Sequence, residues 1–151
     1  MADDISNPQL RAFHDLWASK RRDGRLPARA DFDIDEFKPF LGRVAILDVV
    51  DGGRDFRFRL YGTTILDQYK REMTGKLASE FRPDFVRPIM KGYKAAHDTK
   101  RPHVDRIDID APDMHYVWDR IVLPLASDGE TVDMLLVHSI EAKYDWRGET
   151  V

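Results

Sequence analysis

Two segments in the last third of the chain carry apolar residues on both of their alternating faces, and this limits what the chain can fold into. In residues 116–125, Ile121, Leu123 and Leu125 oppose Tyr116, Trp118 and Val122. In residues 131–140, Val132, Met134, Leu136 and Ile140 share one parity while Leu135 and Val137 hold the other. An antiparallel sheet with one wet face alternates cleanly, so these strands are expected to be covered on both sides. Ser127-Asp128-Gly129-Glu130 joins them as a hairpin turn. A second hairpin is expected upstream, where the β-branched run 44–50 meets the turn Asp51-Gly52-Gly53. Residues 55–61 then alternate, with Phe56, Phe58 and Leu60 on one side and Arg57, Arg59 and Tyr61 on the other. In residues 102–110 the apolar parity slips between Val104 and Ile107, which predicts a bulge on an edge strand.

The helical signals lie outside these strands. Asn7 can cap a helix opening at Pro8, whose missing N–H is no loss at the first helical position. Leu10, Phe13, Leu16 and Trp17 then form one stripe. The helix runs out into the basic segment Lys20-Arg21-Arg22-Asp23-Gly24-Arg25. That segment reads either as a solvated helix end or as a contact for an acidic partner or nucleic acid. Residues 26–43 read as an irregular connector with a helical turn near 35–40. Thr63-Thr64 can cap a short helix over 65–69, and a longer helix is expected within 83–100, with Phe85, Val86, Ile89, Tyr93 and Ala96 on its stripe. Pro88 suits that helix only if it starts near Asp84 or later. The order predicts an α+β fold, a five-stranded antiparallel sheet with helices on one face. The stripe Leu10, Phe13, Leu16, Trp17 is then the surface available to cover the other face, with a second copy's helix completing the cover in a homodimer.

Composition removes whole classes of function. The 151 residues are 42% apolar and 34% charged, with a net charge of −3. A chain of this size and balance folds without staples, and its acidity argues against a nucleic-acid binder. There is no cysteine, so thiolate metal sites, cysteine nucleophiles and disulfides are excluded. The start lacks an apolar signal region and no apolar run is long enough to span a membrane, so a cytoplasmic protein is expected. His97, His103 and Asp105 are the best metal candidates, but they sit on different elements and lack a fourth ligand. Asp105, Asp108, Asp110 and Asp113 do not match a calcium loop. No metal and no cofactor are expected. No nucleophile elbow, phosphate loop or dinucleotide glycine pattern occurs.

The element order, with four short motifs in sequence, resembles the bacterial PAS-domain family, in particular small proteins with an N-terminal helix. Phe56-Arg57-Phe58-Arg59-Leu60-Tyr61-Gly62-Thr63 is similar to the family's strand-to-helix junction, and Thr74-Gly75-Lys76 to the turn after its short helices. Lys100-Arg101-Pro102 resembles the end of its long helix. Residues 118–125 and 128–136 resemble its last hairpin. The resemblance divides the chain into an N-terminal helix over 1–25, the connector 26–43, a PAS-like domain over 44–140 and a C-terminal tail over 141–151. It implies a stand-alone sensory or regulatory domain, not an enzyme, signalling through an unknown protein partner. On the family's layout Tyr61, Tyr69, Met90, Tyr93, Trp118, Arg120 and Met134 flank a pocket for a small apolar or acidic ligand. Arg120 could grip a carboxylate or phosphate there. Alternatively the core is filled and Arg120 pairs with an internal acid such as Glu80 or the neighbours of Asp119. A small α+β enzyme acting on an apolar substrate, or a ligand-free interaction module, are the other readings.

Overall fold

A computed structural model describes residues 5–147. Its centre is the expected five-stranded antiparallel sheet, in the order β2-β1-β5-β4-β3. The strands are β1 (Val44–Val50), β2 (Asp55–Tyr61), β3 (His103–Ala111), β4 (Met114–Leu125) and β5 (Met134–Trp146). One face is covered by α2 (Thr63–Tyr69) and α3 (Pro83–Thr99), the other by α1 (Pro8–Ser19). The parity is consistent across the sheet. Ala45, Val137, Ser139, Trp118 and Arg120 turn toward α2 and α3, whereas His138 turns toward Phe13 of α1. Both faces of β4 from Arg120 onward and of β5 as far as His138 are therefore dry, which is why these stretches do not alternate. Among the described residues no helix is long and apolar enough to cross a membrane.

The α1 helix starts where its cap dictates. Asn7 Oδ1 accepts from the backbone N–H groups of Gln9 and Leu10, and Pro8 takes the first position. Leu10, Phe13 and Trp17 are fully buried, and Leu16 is half-buried at the margin. Trp17 Nε1 donates to the Pro124 carbonyl at 2.9 Å, tying the helix to β4. The connector is a structural layer of its own. Two 3-10 turns, Arg29–Asp31 and Ile34–Phe40, set Phe32, Phe37 and Phe40 into the same core. Phe13 meets Phe40 at 4.8 Å and Phe37 at 6.2 Å between ring centroids. The cover over this face is thus completed within the chain, and a second copy's helix is not needed for it.

Several local expectations change. No bulge occurs in β3, which pairs with β4 without a break from His103 to Ala111. The slip arises because Val104 points outward with Arg106 and Asp108, while Ile107 and Ile109 point inward. The irregularities lie elsewhere, between β1 and β2 at Ile46/Leu47 and between β4 and β5 at Val117/Trp118. The first leaves Arg59 without a partner residue on β1, so parity reverses after it. Leu60 turns out, at 41% exposure, and Tyr61 turns in. The second lets β5 follow β4 as far as Trp146, so residues 141–146 are strand rather than tail. The α2 helix begins at Thr63 with Gly62 as its cap, placing both threonines inside its first turn. The α3 helix begins at Pro83, and Pro88 sits in its second turn at the cost of one intrahelical bond.

One side chain in the α1 layer is polar and sealed. His138 is fully buried between the rings of Phe13 (4.9 Å) and Phe40 (5.2 Å). Its Nδ1 lies 3.1 Å from the Arg43 carbonyl, and its Nε2 has no partner among the described residues. Burial lowers its pKa to about 4, assisted by the Arg43 charge and opposed by the carbonyl bond. The unfolded chain takes up this proton near pH 6.5, the folded chain only near pH 4. Stability is therefore complete above about pH 6.5 and falls between 6.5 and 4, by up to about 3 kcal/mol. Urea unfolding at intervals across this range should show that fall in the native protein and a flatter profile in His138→Phe. Parallel profiles would remove His138 as its source.

Candidate functional site

The sheet face under α2 and α3 encloses a cavity of about 40 Å³. Strand parity places its floor, with Tyr116, Trp118 and Arg120 from β4, Val137 and Ser139 from β5, and Ala45 from β1. The reversal after Arg59 adds Tyr61 beside Phe58, their rings 5.1 Å apart and edge-on. Its roof comes from Ile65 and Tyr69 of α2 and Phe85, Ile89 and Tyr93 of α3, with Phe81 between the helices. These rings form a continuous chain. Phe81 meets Tyr69 at 4.9 Å, Tyr69 meets Phe85 at 4.9 Å, Phe85 meets Trp118 at 5.8 Å, and Trp118 meets Tyr116 at 4.4 Å. Tilted and edge-on contacts of this kind add to the area they bury.

A buried cation stands at the edge of this aromatic box. Arg120 is 1% exposed. Its Nε donates to Asp105 Oδ1 at 2.7 Å, and its Nη2 to Asp105 Oδ2 at 3.1 Å. Nη2 also reaches the carbonyls of Pro88 (3.2 Å) and Ile89 (3.0 Å) in α3, and the guanidinium lies 5.0 Å from the Tyr93 ring centre. Glycine at position 92 makes this approach possible, because a Cβ there would sit 2.2 Å from Nη2. His103 Nε2 lies 3.1 Å from Asp105 Oδ2 on the other side. Burial alone would raise the Asp105 carboxyl, but the Arg120 bonds and charge outweigh it and hold the group below its usual range.

Two of the lining hydroxyls are anchored outward. Tyr69 Oη accepts from the Arg82 N–H at 2.8 Å, and Arg82 itself bridges Asp113 and Asp84. Tyr116 Oη donates to Gln68 Oε1 at 2.8 Å. Burial pushes the Tyr93 hydroxyl up to about 12 and raises Tyr61 and Tyr116 as well, so all three stay protonated at neutral pH.

Of the seven residues expected around a pocket, the structure brings together Tyr61, Tyr69, Tyr93, Trp118 and Arg120. Met90 is buried on α3, but one step round the helix from the lining residue Ile89. Met134 shares a parity with Leu136 and His138 and so lies on the α1 face, away from the cavity. The partner of Arg120 is Asp105, not Glu80, whose carboxylate instead caps the Leu77 N–H. Tyr116 was readable from its shared parity with Trp118 and Arg120. Phe81, on a segment without periodicity, carried no such signal. His97 is bonded to Asp98 and lies against Gly53, apart from His103 and Asp105. Among the described residues no group of three or more His, Cys, Asp or Glu is placed to hold a metal.

Comparison with known proteins accords with this geometry. A family model described as a PAS domain matches residues 5–137. The chain belongs to the PAS-domain family. A PAS domain of BvgS from Bordetella pertussis superposes with a TM-score of 0.53 at 12% identity, covering 91% of this chain and 88% of that one. A sensory box sensor histidine kinase from Vibrio cholerae gives 0.52 at 12% identity, over 73% of this chain and 89% of that one. At such identity the likeness is one of fold. No curated protein matches the chain.

In this PAS domain the Arg120–Asp105 pair has a measurable consequence. Asp105→Asn should cost about 3 kcal/mol in urea unfolding, since it leaves a buried guanidinium uncompensated. Arg120→Met combined with Asp105→Asn should recover part of that loss. A single-variant cost below about 1 kcal/mol would place the pair among ordinary surface bridges.

Proposed function

We propose that this PAS domain is a non-catalytic sensory module that takes a small, largely apolar ligand between its sheet and α2/α3 and signals to a protein partner. The observation that carries this reading is the cavity itself, walled mainly by aromatic and aliphatic side chains, with its one cation already neutralised by Asp105. An acidic ligand would have to compete with Asp105 for Arg120, which favours the apolar class. Among the described residues no histidine or carboxylate lines the cavity, and Tyr61, Tyr93 and Tyr116 there are held protonated. A proton acceptor suited to neutral pH is therefore missing from the lining, which speaks against the small-enzyme reading.

The volume favours a second reading. About 40 Å³ is well below the roughly 150 Å³ that admits benzene, so uptake requires the rings to move. A solid-cored interaction module has no such requirement. The two readings separate by comparing native and denatured masses of the purified protein, with Ala45→Val as the companion variant. A sensor should retain a small molecule, lose it in Ala45→Val, and keep its stability within about 1 kcal/mol. Identical masses in the native protein, with Ala45→Val destabilised by about 2 kcal/mol or more, would establish the solid core.

A further inference from the structure

We propose that the outer face of α3, with the groove at its C-terminal end, docks an acidic segment of a protein partner. The inference does not depend on the cavity being occupied. Arg87, Lys91 and Lys94 follow one another at helical spacing on the side of α3 opposite the buried Phe85, Ile89 and Ala96. All three are exposed, and none has a side-chain hydrogen bond or ion pair among the described residues. The helix ends at Lys100, in the left-handed conformation, and Arg101 follows, both exposed and without a side-chain hydrogen bond or ion pair among the described residues.

At that end the stripe runs into a groove lined by His14, Arg21, Lys100 and Arg101, over a floor that includes Ala18 and Pro102. Arg21 is held in place, its Nε on the Arg25 carbonyl (3.2 Å), its Nη2 on the Gly24 carbonyl (2.9 Å), and its guanidinium 5.3 Å from the Trp17 ring centre. Among the described residues no carboxylate lines the groove. The carboxylates on these two helices are bonded to neighbours, Asp98 and Asp15 to His97 (2.8 Å) and His14 (3.2 Å), and Asp84, at the start of the α3 stripe, to Arg82 (2.8 Å).

A solvated helix face ordinarily mixes both signs. Here Asp84 and Asp98 share the α3 face, but five cations, Arg87, Lys91, Lys94, Lys100 and Arg101, outnumber them in a protein whose net charge is −3. That overall charge repels nucleic acid and anionic membranes beyond the patch itself, whereas a short acidic segment meets only the patch. Arg87 to Lys100 spans about 20 Å at 1.5 Å per residue, the reach of roughly six extended residues. Carboxylates along such a segment would meet the stripe, and an apolar side chain would meet the groove floor.

The test uses a fluorescein-labelled peptide of about twelve residues, rich in Asp and Glu and carrying one Leu, with binding to the full chain followed by fluorescence anisotropy. Lys91→Glu with Lys94→Glu, and separately Lys100→Glu with Arg101→Glu, should each weaken binding about tenfold or more and reduce its salt dependence. Lys76→Glu with Lys143→Glu makes the same charge change on other surfaces and should leave binding within about twofold. Unchanged melting temperatures confirm that every variant is folded. Equal losses in the control and stripe variants would reduce the effect to net charge and overturn the proposal. So would an undetectable interaction with the native chain. Tighter binding to phosphatidylserine vesicles or duplex DNA, abolished by the same stripe substitutions, would assign the surface to a membrane or to nucleic acid instead.

Discussion

The Arg120–Asp105 pair is the interaction on which the arrangement of this domain depends. The two residues face each other directly across β4 and β3, so their bond fixes strand register as well as charge. The same guanidinium reaches the Pro88 and Ile89 carbonyls, fastening α3 to the sheet at a set height. A buried ion pair is weak evidence for net stability, because desolvation consumes much of the attraction. Its value here lies in selecting one arrangement. A register shifted by a residue would turn Arg120 to the α1 face and strand its charge away from both partners.

The central position of β5 gives the domain its second organising constraint. Consecutive residues on it serve opposite layers, Val137 and Ser139 lining the cavity and His138 lying under α1. Its backbone is tied to the segment before β1 as well, since the Ser139 N–H and His138 Nδ1 both bond the Arg43 carbonyl. A displacement of β5 on the cavity side is therefore imposed on the aromatic layer of Phe13 and Phe40. The two sides of the sheet share one rigid element, which is the physical basis for coupling between them.

Much of this was legible in the residues. The dry double-faced sheet followed from strands that refuse to alternate, and α1 followed from Asn7, Pro8 and its apolar stripe. The cavity's β4 wall followed from the shared parity of Trp118 and Arg120. What escaped depended on non-local geometry. The reversal at Arg59 has no signature in a strand that alternates cleanly on paper, yet it decides that Tyr61 and not Leu60 turns inward. Met134 was assigned to the cavity by analogy of layout, and its parity with His138 places it on the other face. The connector read as irregular because 3-10 turns lack the helical period, although its three phenylalanines were in plain view. Asp105 was noticed as a neighbour of His103, and nothing along the chain marks it as the partner of a residue fifteen positions away.

The bond from Trp17 to the Pro124 carbonyl joins residues 107 positions apart. During synthesis α1 is made first, and the strands it covers, β4 and β5, are made last. Until they arrive, Phe13 and Trp17 have no sheet to pack on and remain an apolar surface on an unfinished chain. The local hairpin of β1 and β2 can form early, but the layer that seals the sheet closes only after the longest loop in the fold has been closed. The N-terminal segment thus leads in order of manufacture and comes last in order of assembly. A nascent chain consequently carries the apolar face of α1 uncovered until β4 and β5 have been made.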